Sequence, residues 1–115
     1  MRRGEIWWAD LGPYRHREQT GRRPVIVWQS DRLTQALQSV LVVPLTTNAD
    51  RAHLAGTASI DALDEGPPEI SVALAFQMRA VPKSCLTERI RALTSEELAE
   101  LELATDEALG RVEPE

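Results

Sequence analysis

The chain is poor in the residues from which disulfides and metal sites are built. It has one cysteine, Cys85, and two histidines, His16 and His53, which stand far apart in the sequence. One cysteine cannot form an internal disulfide, and these three residues lack the short spacing typical of zinc ligands. Two histidines can act as an acid–base pair only if both reach one substrate, and histidines in polar loops are more often ordinary surface residues. We therefore expect no metal and no cofactor.

Long apolar runs are also missing. No stretch approaches the roughly 20 apolar residues that cross a membrane, and Met1-Arg2-Arg3 continues with Gly4-Glu5 rather than with the apolar core of a signal peptide. The sequence has no repeat, no phosphate-binding glycine motif and no nucleophile elbow. With 115 residues, 43% of them hydrophobic and 27% charged, we expect one cytoplasmic domain over 1–115 that makes no membrane contact.

The charges are unevenly distributed. Residues 1–51 hold 8 of the 13 lysines and arginines and 5 of the 18 acidic residues, a net charge of +3, whereas residues 52–115 carry −8. The overall charge of −5 argues weakly against nucleic acid as a partner. A basic half can still present a phosphate-binding face while an acidic half keeps the protein soluble. Segregated surface charge also occurs without a function, so the charge pattern by itself leaves both interpretations open.

Hydrophobic patterning predicts strands first and one helix last. Strands are expected over 5–11, 25–29, 39–46, 54–60, 69–76, 77–81 and 87–93, with a short helical turn at 30–34. Between the first two strands lies a polar loop, residues 12–23. Pro24 is expected to open the second strand rather than sit within a ladder, and Pro44 to mark an edge or a bulge.

The C-terminal helix has the clearest boundaries. Thr94 and Glu97 have the spacing of a capping box, and Gly110 is the expected stop. One face of the helix is predicted to carry Leu98, Leu101, Thr105, Ala108 and Leu109. The fold class is therefore mainly β: a small barrel of antiparallel strands with a C-terminal α-helix.

Two stretches place polar side chains beside predicted strand ends. Glu18-Gln19-Thr20-Gly21-Arg22-Arg23-Pro24 brings an arginine to the start of a strand, and the planar guanidinium matches two phosphate oxygens. Val43-Pro44-Leu45-Thr46-Thr47-Asn48 puts two hydroxyls and an amide where a strand leaves the sheet. Strand ends and the adjoining loops are frequent sites of function, although the same residues also form ordinary turns.

Taken together, these stretches resemble the MazF/PemK toxins, the ribosome-independent endoribonucleases of type II toxin–antitoxin pairs. The resemblance rests on RGEIWWADLGP at 3–13, EQTGRRPVIVWQSD at 18–31, VVPLTT at 42–47, ISVALAFQMRAV at 70–81 and the acidic amphipathic helix. It covers nearly the whole chain, and its specific parts are the E-Q-x-G-x-R-P-V loop and the P-L-T strand end. It implies an SH3-like CcdB/PemK barrel, a homodimer, and metal-free, sequence-specific cleavage of single-stranded mRNA that inhibits translation and growth. It also implies a MazE-like antitoxin as partner, with DNA binding by the complex.

The resemblance assigns residues to roles position by position. The arginine of G-x-R-P is Arg23 and the threonine of the strand end is Thr46, which together imply the catalytic pair. Residues implied to contact RNA are Tyr14, Arg15, Arg17, Gln19, Arg22, Thr47, Asn48, Gln77 and Arg79. The dimer contact is expected near Leu74, Phe76, Gln77 and Arg79. The basic segment Tyr14–Arg17 and the pair Pro67-Pro68 depart from the family pattern, which bears on the preferred RNA sequence rather than on the reaction class.

The expected chemistry follows from RNA itself, which carries a nucleophile, the 2′-OH, beside each phosphate. Arg23 would hold the phosphorane oxygens and Thr46 would add a neutral donor, giving a 2′,3′-cyclic phosphate and a 5′-hydroxyl. Arginine is a poor general base because its pKa exceeds about 12, so Glu18 and His16 are both candidates for that role. Two alternatives remain: a non-catalytic CcdB-like toxin that poisons a topoisomerase, and a regulatory domain that has lost activity.

Overall fold

The computed structural model describes residues 1–11, 21–48, 50, 52, 54–61, 63 and 70–113. The strands in these residues are β1 (Glu5–Asp10), β2 (Arg22–Val27), β3 (Ser39–Thr46), β4 (Thr57–Ile60), β5 (Ser71–Leu74), β6 (Arg79–Pro82) and β7 (Leu86–Ala92). The helices are α1 (Asp31–Ala36) and α2 (Ser95–Ala108), and 3₁₀ turns cover Ala75–Gln77 and Lys83–Cys85. The predicted mainly β fold with a C-terminal helix is confirmed.

The strands pair antiparallel in the order β4-β5-β3-β2-β1-β7, and β6 pairs with β3. On one edge, β3 pairs first with β6, up to Val42, and then with β5, from Leu45 onwards. Pro44 lies in the gap between these two ladders. Because it cannot donate a backbone hydrogen bond, it fits where β3 changes partner. Among the described residues the ladder does not close on itself, so the barrel is open between β4 and β7.

The two faces of the sheet bury separate cores. One core packs β-strand residues such as Ile6, Ile26 and Val43 against Leu101 and Ala104 of α2. The other lies on the opposite face and joins β1, β2, β3, β6 and the start of β7, through Ala9, Leu11, Val25, Val27, Val40, Val42, Val81 and Leu86. We call this second core the barrel interior.

Strand β2 begins earlier than the sequence predicts. It starts at Arg22, so Arg22 and Arg23 belong to the strand rather than to the loop, and Pro24 lies within the ladder, opposite Trp8. The N–H of Leu11 donates to Gly21 O at 3.1 Å, and alternation from that bond makes Trp8 and Pro24 a non-hydrogen-bonded pair. The missing N–H of Pro24 therefore points away from β1 and breaks no bond there.

Three further predictions are corrected at their ends. Gln77 lies in the 3₁₀ turn between β5 and β6 rather than in a strand. Strand β4 begins at Thr57, three residues later than expected, after a turn at Gly56 whose φ of +79° favours glycine. Leu109 is 62% exposed because α2 ends at Ala108, so Leu109 is not part of the buried face. The capping box of Thr94 and Glu97 is present as predicted, and Gly110 follows the helix end with a φ of +74°.

Helix α2 covers the outer edge of β4 with its glutamates. Glu97 Oε2 accepts from Asp61 N at 2.8 Å, Glu100 Oε1 from Ser59 N at 3.3 Å, and Glu107 Oε1 from Gly56 N at 3.1 Å. An uncovered strand edge presents unpaired N–H groups that recruit other strands. The acidic side chains of α2 thus satisfy an edge that no neighbouring strand pairs within the described residues.

Neither of the two helices in the described part of the chain is long and apolar enough to span a membrane.

Candidate functional site

Arg23 lies at the entrance of the barrel interior. Its Cα partner on β1 is Ala9, and its neighbours two and four residues along β2 are Val25 and Val27, all three buried in the second core. Because alternate residues of a strand share a face, Arg23 extends that face beyond the apolar residues. Its side chain is exposed. A guanidinium is therefore presented where the barrel meets solvent.

Thr46 reaches the same place from the neighbouring strand. The observed pairs of β2 and β3 are Val27 with Val42, Ile26 with Val43 and Val25 with Pro44. These pairs end at Val25 with Pro44, and the same register continued by two residues would bring Arg23 opposite Thr46, on the same face. Thr46 is partly buried and is the last residue of β3, where β5 pairs with it through Val72. The pairing of β2 with β3 thus puts on one face of the sheet two residues that lie far apart in the sequence.

The turn after β3 fixes the Thr46 side chain. Thr46 Oγ1 accepts from Asn48 N at 3.2 Å, and Asn48 Oδ1 accepts from Asp50 N at 3.1 Å. A hydroxyl that accepts a hydrogen bond can still donate its own proton, so the turn orients Thr46 as a donor. Asn48 stabilises this turn through its side-chain Oδ1. Its side-chain NH₂ group is the donor that could bind a ligand. Thr47, between them, is exposed.

Arg22 lies on the opposite face of β2 from Arg23. Its guanidinium carbon is 4.4 Å from the centroid of the Trp8 ring, and its Nη2 is 3.7 Å from Glu88 Oε2 on β7. The Cα partner of Arg22 is Asp10. The structure thus separates the two adjacent arginines: Arg23 stands over the barrel interior, and Arg22 is flanked by an indole and carboxylates.

Gln77 and Arg79 lie along the other side of β3. Arg79 opens β6 as the Cα partner of Val42, which shares a face with Thr46, and it is partly buried. Gln77 is exposed in the turn that joins β5 to β6. Arg79 therefore lies beside β3 at Val42, four residues before Thr46, and Gln77 lies in the turn that leads into β6.

The remaining predicted site residues lie outside the described ranges. They are Tyr14, Arg15, His16, Arg17, Glu18 and Gln19. Glu18 and His16 therefore both remain candidates for the general base. The described residues contain no group of three His, Cys, Asp or Glu side chains suited to a metal ion. Because His16 and His53 are not among those residues, metal independence stays a prediction.

Two carboxylates with shifted pKa values serve the fold rather than this site. Burial raises the pKa of Glu97, but hydrogen bonds from Arg91 and from the backbone of Thr94 and Asp61 outweigh it and lower that pKa to about 2. Burial likewise raises the pKa of Glu5, and hydrogen bonds led by that from Arg89 lower it below its ordinary value.

The cluster of Trp8, Arg22 and Glu88 was not identified from the sequence. The proximity of Trp8 and Arg22 could have been predicted, because the two residues share a face once β1 and β2 are paired in register. Glu88 was not, because it joins only through the pairing of β1 with β7, and that pairing spans some 80 residues with two register shifts.

Comparisons with known proteins agree on one family. The model of the PemK-like, MazF-like toxins of type II toxin–antitoxin systems matches residues 2–109. Endoribonuclease MazF of Staphylococcus saprophyticus is 32% identical over 110 residues, covering 96% of this chain and 92% of that protein. Endoribonuclease EndoA of Bacillus subtilis is 32% identical over 113 residues, covering 98% and 97%.

Solved structures have the same fold. A mycobacterial endoribonuclease in complex with its cognate antitoxin matches with a TM-score of 0.77 at 22% identity, covering 99% of both chains. A MazE–MazF complex of Deinococcus radiodurans matches with a TM-score of 0.76 at 23% identity, covering 97% of both chains. At these identities the likeness concerns the fold, and it extends over nearly the whole chain.

Proposed function

Because the chain belongs to the PemK-like, MazF-like toxins of type II toxin–antitoxin systems, we propose that it is an endoribonuclease that cleaves single-stranded mRNA without a metal or a ribosome. In this proposal Arg23 and Thr46 act directly on the reacting phosphate. The support is of two kinds: relatives that are named endoribonucleases over almost their full length, and the geometry of these two side chains.

The observation that carries the proposal is the pairing of β2 with β3, whose register, continued two residues beyond Val25 and Pro44, would bring Arg23 opposite Thr46. In this arrangement the guanidinium and the hydroxyl would form a short donor array at the mouth of the barrel. Such an array suits an oxyanion whose charge grows during reaction, because its donors are oriented before the charge develops. The guanidinium offers a planar fork to two phosphate oxygens, and the hydroxyl adds one neutral donor.

The reaction uses the nucleophile of the substrate. The 2′-oxygen forms a bond to phosphorus, the bond from phosphorus to the 5′-oxygen breaks, and the products are a 2′,3′-cyclic phosphate and a 5′-hydroxyl. The 2′-proton passes to a base, for which Glu18 and His16 are the candidates, and the leaving 5′-oxygen takes up a proton. Holding an internal nucleophile in line is worth several kcal/mol, about what positioning contributes in other enzymes.

The proposed protein partners are an antitoxin and a second copy of this chain. Structural neighbours have been solved with a cognate antitoxin, and we propose a MazE-like antitoxin for this chain. We propose that Arg15, Arg17, Arg22 and Arg23 form a basic strip, and a strip that attracts RNA phosphates also attracts carboxylates. We further propose a homodimer, because a twofold pair is the commonest assembly of a small domain and joins two basic halves into one groove.

The test is cleavage of a long RNA in EDTA by the wild-type protein and by Arg23→Ala. The variant should cleave at least about 100- to 1,000-fold more slowly, because it loses a charged donor to the transition state, while its thermal midpoint stays unchanged because Arg23 is exposed. Arg32→Ala, which removes an exposed arginine on α1, is the matched control and should cleave normally.

Two results would contradict the proposal. One is wild-type rates from a folded Arg23→Ala protein. The other is RNA left intact by the wild-type protein, or activity that appears only on adding magnesium or zinc. Intact RNA together with inhibition of a topoisomerase would favour the non-catalytic alternative.

A further inference from the structure

Two hydrogen bonds in series shape the chain where it leaves β3. The N–H of Asn48 donates to Thr46 Oγ1 at 3.2 Å, and the N–H of Asp50 donates to Asn48 Oδ1 at 3.1 Å. In each bond a side-chain oxygen accepts from the backbone two residues further along, which is how Thr and Asn side chains stabilise turns. The side chain of Asn48 therefore holds the bend that brings its own N–H back to Thr46.

This bend determines how the Thr46 hydroxyl is held. A threonine side chain has several staggered rotamers, and the bond from Asn48 N–H favours the one that places Oγ1 over the turn. A hydroxyl has one proton and two lone pairs. Because the bond to Asn48 uses a lone pair, the proton of Thr46 stays available to a ligand.

We propose that Asn48 is a positioning residue for the hydroxyl of Thr46, and that its side chain acts on the reaction through this turn rather than by contact with RNA. The proposal rests on the endoribonuclease function above and deepens it. The resemblance to the MazF/PemK toxins implies an RNA contact for Asn48, and the two roles use different parts of the same amide. A positioning role uses Oδ1, which accepts from Asp50, whereas a contact through the donor uses the NH₂ group.

Two substitutions separate these parts. Asn48→Ser keeps an oxygen that can accept from the backbone two residues on, and it removes the NH₂ group. Asn48→Gln keeps the whole amide, but the additional methylene takes its oxygen out of the geometry of the turn. Asn48→Ala removes both parts. A positioning residue is therefore replaced by serine and not by glutamine, and a residue that contacts RNA through its NH₂ group is replaced by glutamine and not by serine.

The experiment measures single-turnover cleavage of a short RNA with one mapped cut site, at saturating protein. Asn48→Ala and Asn48→Gln should slow cleavage by about 10- to 100-fold, the size of loss that a small displacement of a reacting group causes. Asn48→Ser should cleave within a few-fold of the wild type. All three variants should bind the same RNA, with a 2′-deoxy sugar at the cut, as tightly as the wild type does.

A double variant tests whether Asn48 acts through Thr46. Once the hydroxyl is removed in Thr46→Val, the side chain of Asn48 has nothing left to position. The combination of Thr46→Val with Asn48→Ala should therefore cleave no more slowly than Thr46→Val alone, because two residues that act as a unit have non-additive effects. If Asn48 contacts RNA independently, the two losses multiply.

The chain contains a matched control and an independent probe of the turn. Ser30 is exposed, and its Oγ accepts from Leu33 N at 3.3 Å at the start of α1, at the end of β2 opposite to Arg23. Ser30→Ala removes a turn bond of the same kind and should cleave as the wild type does. In the protein without RNA, the Asp50 amide should exchange with water faster in Asn48→Ala and Asn48→Gln than in Asn48→Ser or the wild type.

Four results would overturn the inference. They are a wild-type rate in Asn48→Ala, a rate in Asn48→Ser as low as that in Asn48→Ala, losses that multiply in the double variant, and an equal loss in Ser30→Ala. In each of these cases the wild-type protein still cleaves RNA, so the proposed function stands. If the wild-type protein leaves RNA intact, the proposed function fails and this inference fails with it.

Discussion

Arg91 and Glu97 form a two-point ion pair that joins the two ends of the sheet. Arg91 Nη1 lies 2.8 Å from Glu97 Oε1, and Arg91 Nη2 lies 3.0 Å from Glu97 Oε2. Arg91 belongs to β7, at one end of the strand order. Asp61 follows β4, at the other end, and it donates its N–H to Glu97 while its carbonyl accepts from Arg91 at 3.3 Å. The side chains of Arg91 and Glu97 therefore connect β7 to the end of β4, which no backbone ladder joins within the described residues.

Glu97 serves three elements at once. It is the acidic member of the capping box of α2, the partner of Arg91, and an acceptor for the backbone beyond β4. Only 4% of the residue is exposed. A buried carboxylate costs free energy unless charges and hydrogen bonds compensate it, and here four donors do so. This compensation is why the pKa of Glu97 lies near 2.

Stability should fall in acid because of this residue. The folded pKa of about 2 lies below the ordinary value of 4.5, so the stabilisation is complete above pH 4.5 and is lost as the pH falls towards 2. The shift corresponds to about 3 kcal/mol at neutral pH as an upper estimate. Urea unfolding of the wild-type protein between pH 7 and pH 3 measures the decline in unfolding free energy.

Glu97→Gln is the variant that separates this effect from general acid unfolding. It should be destabilised at pH 7, by up to about 3 kcal/mol, because Arg91 loses its anionic partner, and its stability should decline less between pH 5 and pH 3. Glu102→Gln is the control, since Glu102 is exposed and makes only a 3.7 Å contact with Arg3. An equally steep decline in Glu97→Gln and in the wild type would show that other carboxylates carry the acid sensitivity.

The hydroxyl of Thr46 should matter less than the charge of Arg23. We expect Thr46→Val to slow cleavage, but by less than Arg23→Ala, because a neutral donor contributes less to an oxyanion than a guanidinium does. Thr46→Ser keeps the hydroxyl and should retain most of the activity. Single-turnover rates measure the effect on the chemical step. Equal rates for the valine and serine variants would remove Thr46 from the catalytic pair.

A homodimer should be present at micromolar concentration. Analytical ultracentrifugation should give about twice the chain mass of 12.8 kDa. Of the apolar residues expected at the contact, Leu74 is 5% exposed and already buried within its own chain, whereas Phe76 is 42% exposed. Phe76→Lys should therefore shift the equilibrium towards monomer, because it places a charge in an apolar contact. A strictly monomeric wild-type protein would refute the prediction.

An acidic antitoxin tail should compete with RNA. A disordered acidic segment with a few apolar anchors can cover a large surface, and its binding to the basic strip should weaken as salt is raised. The measurement is inhibition of cleavage by the C-terminal peptide of the neighbouring antitoxin across a salt series, together with RNA binding by the Thr46→Ala protein. If a tightly inhibiting peptide leaves that RNA affinity unchanged, the two ligands do not share the groove.

Much of the architecture could be predicted because it depends on neighbours in sequence. Period-two patterning identified most strands, and the capping box of Thr94 and Glu97 spans three residues. The error at Pro24 has a physical cause. The sequence analysis placed Pro24 outside the ladder. A proline is tolerated within a strand pair at a non-hydrogen-bonded position, because no N–H is needed toward the partner strand there. Which positions are of that kind depends on the register of β1 and β2.

The sequence by itself determined which segments become strands, where the last helix starts, and that an arginine and a threonine end up at strand ends. The tertiary structure alone decided that the strands carrying Arg23 and Thr46 pair with each other, that the adjacent Arg22 turns to Trp8 and Glu88, and that Glu97 joins β4 to β7. The reason is physical. Local pattern sets the period of a strand, but register is chosen only when distant segments pack, since a one-residue slip would turn every buried side chain out to solvent.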